Sequence, residues 1–176
     1  PNANALVGCL MDGCERMLTM TEPKWLSPVE REAWLALLSV TTLLPAALDS
    51  DLQVQAKITL FDYDVLAMLS EAPERTLPMS ELASRTSASL SRLSHVVKKL
   101  EARGWVERSR SETDARVTIA RLTEDGWGMI TQLAPDHVAS VRQYIFNGLD
   151  EHDVAELARI GRKLTARLDP ENWILR

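Results

Sequence analysis

The sequence predicts a mainly α-helical chain that carries one small β-hairpin. Three observations lead there. Leu, Ala, Glu and Arg dominate the composition, all good helix formers, while Gly is sparse at seven of 176 residues. Apolar residues recur at helical spacing over most of the length, and the period changes only from Trp105 onward. Cap residues stand at the heads of the helical segments: Ser27, Thr59, Ser80, Thr123 and Asp150. At 45% hydrophobic, the chain is large enough for one domain with a real core, or for a core plus a surface buried against a second subunit.

Residues 1–26 read as an N-terminal extension. Met20 opens MTEPKWLSPVEREAW, which resembles a natural start, and Ala5, Leu6, Cys9 and Leu10 fall near helical spacing. An extra short helix and a disordered arm are both compatible with that stretch. Ser27-Pro28 then supplies a cap and a proline at the first helical position. Residues 27–57 are expected to form a long helix that is apolar around much of its girth (Trp34, Leu35, Leu37, Leu38, Leu43, Leu44, Leu48). Such a helix must be buried, and in a chain this small burial from both sides points to a second copy. Pro45 is expected to kink or split it.

Residues 58–122 form the next unit. Thr59 caps a helix near 60–70 with Tyr63, Leu66 and Ala67 turned inward, and EAPERTL reads as a break. Ser80 is expected to cap a short helix, ELASRT, with a turn at 87–89. A further helix over 90–103 stops at Gly104, where a C-terminal glycine belongs. WVERSR and ARVTIARL flank the polar tip SETD and read as a two-stranded hairpin. Residues 123–176 return to helix, with acids in the first turn after Thr123, an expected kink or break at Pro135, and a last helix capped by Asp150.

Net charge is −5, but its distribution is uneven. Residues 79–122 hold nine Lys/Arg against five Asp/Glu, a surplus of +4 that leaves −9 on the remainder. A basic module in an acidic body suits contact with a polyanion on one face. On the helix over 90–103, Leu90, Leu93, Val96, Val97 and Leu100 cluster on one side at about 100° per residue. Ser91, His95, Lys98 and Lys99 fall opposite, flanked by Arg92 and Arg103, without an acid among them. That is the chemistry a helix needs to enter a major groove, where phosphates flank the base edges. The hairpin adds Arg108, Arg110 and Arg116; a cation there suits the negative potential of a narrow minor groove. Asp114, two residues before Arg116, is placed to orient its guanidinium.

Other chemistries find little support. His95, His137 and His152 are scattered with no HxxxH or CxxC spacing, so no metal or cofactor is expected. There is no GxSxG, and Gly126-Trp127-Gly128 is too short for a dinucleotide fingerprint, so no enzyme activity is expected. Asp62 and Asp64 read as solvated helix-start acids. Cys9 and Cys14 are too few for a disulfide framework, which fits a reducing compartment. The longest apolar stretch, 33–48, is interrupted by Ser39, Thr41, Thr42 and Pro45 and falls short of the roughly 20 residues a bilayer span needs. A cytoplasmic protein with no membrane partner is expected.

The run MSELASRTSASLSRLSHVVKKLEARGWVERSRSETDARVTIARLTEDG resembles the core of the MarR (multiple-antibiotic-resistance regulator) family. The matching features are the ELA helix, the Leu/Ser-rich helix ending LEARG, the Asp-x-Arg at Asp114 and Arg116, and the LTEDG restart. The resemblance extends from about Trp25 to Leu168. It implies a winged helix-turn-helix with N- and C-terminal dimerisation helices, a homodimer on double-stranded, pseudo-palindromic DNA, and repression relieved by a small, often aromatic, acid. It also implies DNA contacts at Ser89, Ser91, Arg92, His95, Lys98 and Arg116, the last oriented by Asp114; the helix face and the hairpin add Lys99 and Arg110 as candidate contacts. Trp34 and Tyr63 are candidate effector contacts near the junction of lobe and dimer helices. Trp105 stands where the family usually carries a smaller aliphatic residue, and Ala115 replaces a frequent Arg. Two rival functions remain open: a regulator that senses oxidants through Cys9 and Cys14, and a winged helix that docks protein without DNA specificity.

Overall fold

The computed structural model describes residues 24–171. Cys9, Cys14 and Trp173, and with them the redox expectation, lie outside those residues. The elements run in the order α1 (Pro28–Ala56), α2 (Leu60–Glu71), a 3-10 turn (Pro73–Arg75), β1 (Thr76–Pro78), α3 (Met79–Arg85), α4 (Leu90–Ala102), β2 (Val106–Arg110), β3 (Thr118–Leu122), α5 (Glu124–Tyr144), a second 3-10 turn (Phe146–Gly148) and α6 (Glu151–Leu168). Mostly helix with a small antiparallel sheet, this is a winged helix-turn-helix. Two compact units divide inside α1, between Val40 and Thr41.

Capping sets most helix starts as the sequence implies. Thr59 and Asp62 form a reciprocal capping box on α2, and Asp150 and Asp153 do the same on α6. Ser89 Oγ accepts from Arg92 N at the head of α4, and Thr123 Oγ1 accepts from Gly126 N at the head of α5. Ser80 does not cap α3. That helix starts two residues earlier, at Met79 with Pro78 in the cap position, and its cap makes no side-chain hydrogen bond. The reason is β1, which sequence reasoning took for a break. Thr76, Leu77 and Pro78 pair with Arg121, Ala120 and Ile119, so the strand delivers the chain straight into the helix. The sheet therefore has three strands in the order β1-β3-β2, not two. A proline is tolerated on β1 because the strand lies at an edge. Neither Pro45 nor Pro135 divides its helix, so each costs a backbone hydrogen bond within an otherwise continuous helix.

One core holds the second unit together. Leu52, Ile58, Val65, Leu66, Leu69, Leu77, Leu82, Leu93, Val97, Leu100, Val106, Ala120 and Leu122 are nearly inaccessible, with Ile130 and Leu133 of α5 closing the cluster. Outside it, α1 and α6 leave large apolar side chains exposed, among them Trp34, Leu43, Leu157, Ile160 and Leu164. By length and mean hydropathy, 1.4 over its most apolar 18-residue window, α1 passes the test for a bilayer span, which the interrupted run in the sequence did not suggest. Only 6% of that window is buried.

The base of the hairpin is joined to α5 at close range. Gly104, at φ +75°, turns the chain out of α4. Thr123 Oγ1 donates to Gly104 O at 2.6 Å, and Thr123 N donates to Trp105 O at 3.0 Å. Gly126 lies so close that an added Cβ would sit 2.1 Å from Trp105 O and 2.7 Å from Leu122 Cδ1. Gly126→Ala should therefore cost about 1–3 kcal/mol in urea unfolding. Gly128→Ala, with nothing within 4 Å, should instead stabilise by about 0.5–1 kcal/mol. Equal effects at the two glycines would remove the close-approach argument.

Candidate nucleic-acid interface

Helix α4 is oriented by its apolar side. Leu93, Val97 and Leu100 are fully buried, which leaves Ser91, Arg92, His95 and Lys98 exposed on the opposite side. Leu90, expected inward, is 56% exposed at the first turn. Ser89 and Ser91 hydroxyls lie 3.1 Å apart at the helix N-terminus. The outward set contains hydrogen-bond donors and no carboxylate.

The basic residues of this region divide into two groups. Several are engaged within the lobe. Arg85 pairs with Glu81, and Arg108 pairs with Glu101 through Nε at 2.8 Å while its backbone N donates to the same carboxylate. That pairing ties β2 to α4, so Arg108 serves the joint between them. Lys99, expected outward, keeps 40% of its side chain exposed but is paired with an acid of α2. Its Nζ lies 2.5 Å from Asp62 Oδ2 on α2. Asp62, read from sequence as a solvated acid, is only 1% exposed. Burial works to raise its pKa, but the hydrogen bonds from Lys99 and Thr59 outweigh it and hold the carboxyl below its ordinary range. Lys98 and Arg110, by contrast, are exposed and have no ion-pair partner among the described residues. Arg110 makes only a long 3.5 Å contact to Thr118 Oγ1.

The loop between β2 and β3 carries Arg116 near its β3 end. Its side chain is 90% exposed. Asp114 Oδ1 accepts from both Arg116 N (3.0 Å) and Arg116 Nε (3.1 Å), and Oδ2 accepts from Nη2 at 3.2 Å. The guanidinium bonds hold the Asp114 carboxyl below its usual range. One edge of the guanidinium is thus fixed on a carboxylate while the rest projects into solvent, a preorganised cation at the end of a ribbon.

A cleft of about 840 Å³ opens beside this helix, lined by Pro45 and Asp49 of α1, Phe61 and Asp64 of α2, and Arg92 and His95 of α4. The Arg92 guanidinium carbon lies over the Phe61 ring, 4.0 Å from its centroid. Asp64 is half-buried here, and burial pushes its pKa up to about 6 against the opposing pull of Arg92. Sequence reasoning missed this cleft because its walls come from three segments. Tyr63 is buried against the ring of His137 at 4.2 Å, and burial lowers the His137 pKa. Trp34 is 51% exposed on the first unit.

A sequence model described as the MarR family matches residues 56–117. The chain is 30% identical over 104 residues to the transcriptional repressor MprA of Escherichia coli K12, and that match spans 58% of the relative's length. Two solved structures from Streptomyces coelicolor are each 38% identical to it. Sco3205, a MarR family transcriptional regulator in complex with DNA, has a TM-score of 0.80 over 85% of this chain and 94% of its own. AbsC, also a MarR family transcriptional regulator, has a TM-score of 0.78 over 82% of this chain and 97% of its own.

The raised pKa of Asp64 has a signed consequence. The folded state holds this proton more tightly than the unfolded chain, so its contribution to stability is lost as pH rises from about 4 through about 6. Asp64→Asn should be more stable than wild type by roughly 2 kcal/mol at pH about 7.5, with the advantage gone near pH 4. Urea unfolding at the two pH values checks this. An advantage independent of pH would mean that the carboxyl is not desolvated.

Proposed function

This chain belongs to the MarR family of winged helix-turn-helix transcription regulators, and we propose that it binds a pseudo-palindromic operator as a homodimer and represses from it. The carrying observation is the pair of outward cationic elements: the acid-free face of α4 and the Asp114-oriented Arg116. Ser89, Ser91, Arg92, His95 and Lys98 meet base edges and phosphates in the major groove, and Arg110 and Arg116 follow the adjacent backbone and minor groove. The repressor assignment takes its support from the likeness to MprA, a transcriptional repressor, and the DNA-bound form of Sco3205 supports the mode of use.

The homodimer accounts for the exposed apolar side chains. Trp34, Leu35 and Leu38 on α1, and Leu157, Ile160 and Leu164 on α6, are all more than 40% exposed. On each helix by itself, recurrent apolar exposure of that kind marks an interaction surface. A twofold pair then sets two α4 helices in successive major grooves, one helical turn apart. The cleft beside α4 offers a small effector a place from which to act, because Arg92 and His95 belong both to its wall and to the outward face. Trp34 and Tyr63 remain candidate effector contacts on the dimer side. A ligand releases DNA only by binding the DNA-incompetent geometry better.

Fluorescence anisotropy on the intergenic DNA upstream of the gene, at two salt concentrations, tests the assignment. Wild type should bind tightly and weaken steeply with salt, and Arg116→Ala should lose about ten- to hundredfold. Binding no better than to random DNA would favour the protein-docking role. In sedimentation, Leu157→Glu combined with Leu164→Glu should convert a dimer to monomer and abolish operator preference. A double variant that stays dimeric would place the interface elsewhere.

A further inference from the structure

Two neighbouring lysines on α4, Lys98 and Lys99, read alike in the sequence and differ in the structure. We propose that Lys99, together with Arg103 one turn later, is a positioning residue: the two lock the C-terminal half of α4 onto the joint between α1 and α2. The inference rests on the DNA-binding assignment above and assigns to these two cations a role other than contact with DNA.

The joint is three residues long, Lys57 to Thr59. Lys57 has a left-handed backbone at φ 57°, and Ile58 is fully buried. Arg103 Nη2 donates to the Lys57 carbonyl at 2.9 Å. Lys99 Nζ donates to Asp62 Oδ2, and that same oxygen accepts from Thr59 N at 2.7 Å. One carboxylate oxygen therefore serves both the joint and the recognition helix. Its partner, Asp62 Oδ1, is buried with no hydrogen bond, so the Lys99 ammonium is the side-chain cation that offsets a buried carboxylate. On the other flank, Asp49 of α1 accepts from Leu60 N at 2.8 Å, which holds the start of α2 to α1.

The spacing explains why these two residues act together. Positions 99 and 103 are four apart, so they lie one above the other on the same side of α4. That side looks at the joint, whereas position 98 is turned about 100° away and is exposed. A displacement of the C-terminal end of α1 is thereby carried to α4 through two directed contacts and the buried Ile58 between them. In a regulator whose α1 joins two subunits, this makes the spacing of the two α4 helices answer to α1.

The test compares Lys98→Gln, Lys99→Met, Lys99→Arg and Arg103→Gln in the full chain. On a fluorescein-labelled mixed-sequence duplex, Lys98→Gln should lower the slope of log affinity against log salt by about 1.8, as the loss of one phosphate contact from each protomer of the dimer does. Lys99→Met and Arg103→Gln should leave that slope unchanged, yet each should cut the preference for the upstream duplex over the mixed one about tenfold. Lys99→Arg should restore it. Hydrogen–deuterium exchange without DNA should show faster exchange across 94–103 in Lys99→Met and Arg103→Gln and unchanged exchange in Lys98→Gln. A slope reduced by about 1.8 in Lys99→Met would make Lys99 a phosphate contact in each protomer and overturn the proposal. So would unchanged exchange in both positioning variants. Should Lys99→Met fail to fold, Arg103→Gln carries the same readouts. Should wild type prefer no duplex, the operator assignment fails, while the exchange data still decide the clamp.

Discussion

The burial of Leu93, Val97 and Leu100 is the constraint on which the rest of this structure depends. A helix of 13 residues has no stable orientation of its own in water; its apolar side must be taken up by a core. Here the core comes from α2, α3, α5 and the sheet, and it turns the remaining side of α4 outward. Every polar group on that side is placed by the packing of its neighbours on the other. The caps at Ser89 and Thr59 refine helix starts, but they would not choose a face.

Charge is used in two ways around this helix. Pairs such as Lys99–Asp62 and Arg108–Glu101 join α4 to its supports, and each removes a cation from the outward surface. What remains outward is a smaller set than the formal count implies, but it is better ordered. Arg116 illustrates the point, since its carboxylate partner neutralises part of its charge while fixing its direction. A partly neutralised but oriented guanidinium gives up some long-range attraction in exchange for a lower ordering cost on contact.

The apolar exposure on α1 and α6 is of a different kind. Exposed leucines scattered singly are ordinary on protein surfaces, whereas here they recur along two whole helices. The same helix α1 passes a composition test for a bilayer span, because a helix made to be covered by protein and one made to be covered by lipid have similar sequences.

The sequence by itself determined the fold class, the order of helices, the hairpin and the amphipathic division of α4, because each is written in local periodicity and cap chemistry. The family followed from the same residues. Tertiary structure alone decided the third strand, since Thr76–Pro78 is too short to show a period and becomes a strand only through its pairing with β3. It also decided that Pro45 and Pro135 leave their helices whole, and that α3 starts from Pro78 instead of Ser80. Most consequentially, it separated Lys98 from Lys99. Both lie on the polar side by helical angle, but which of them is held in an ion pair depends on a buried carboxylate 37 residues earlier in the chain. Desolvation and pairing are properties of what surrounds a group in space, and no local pattern records them.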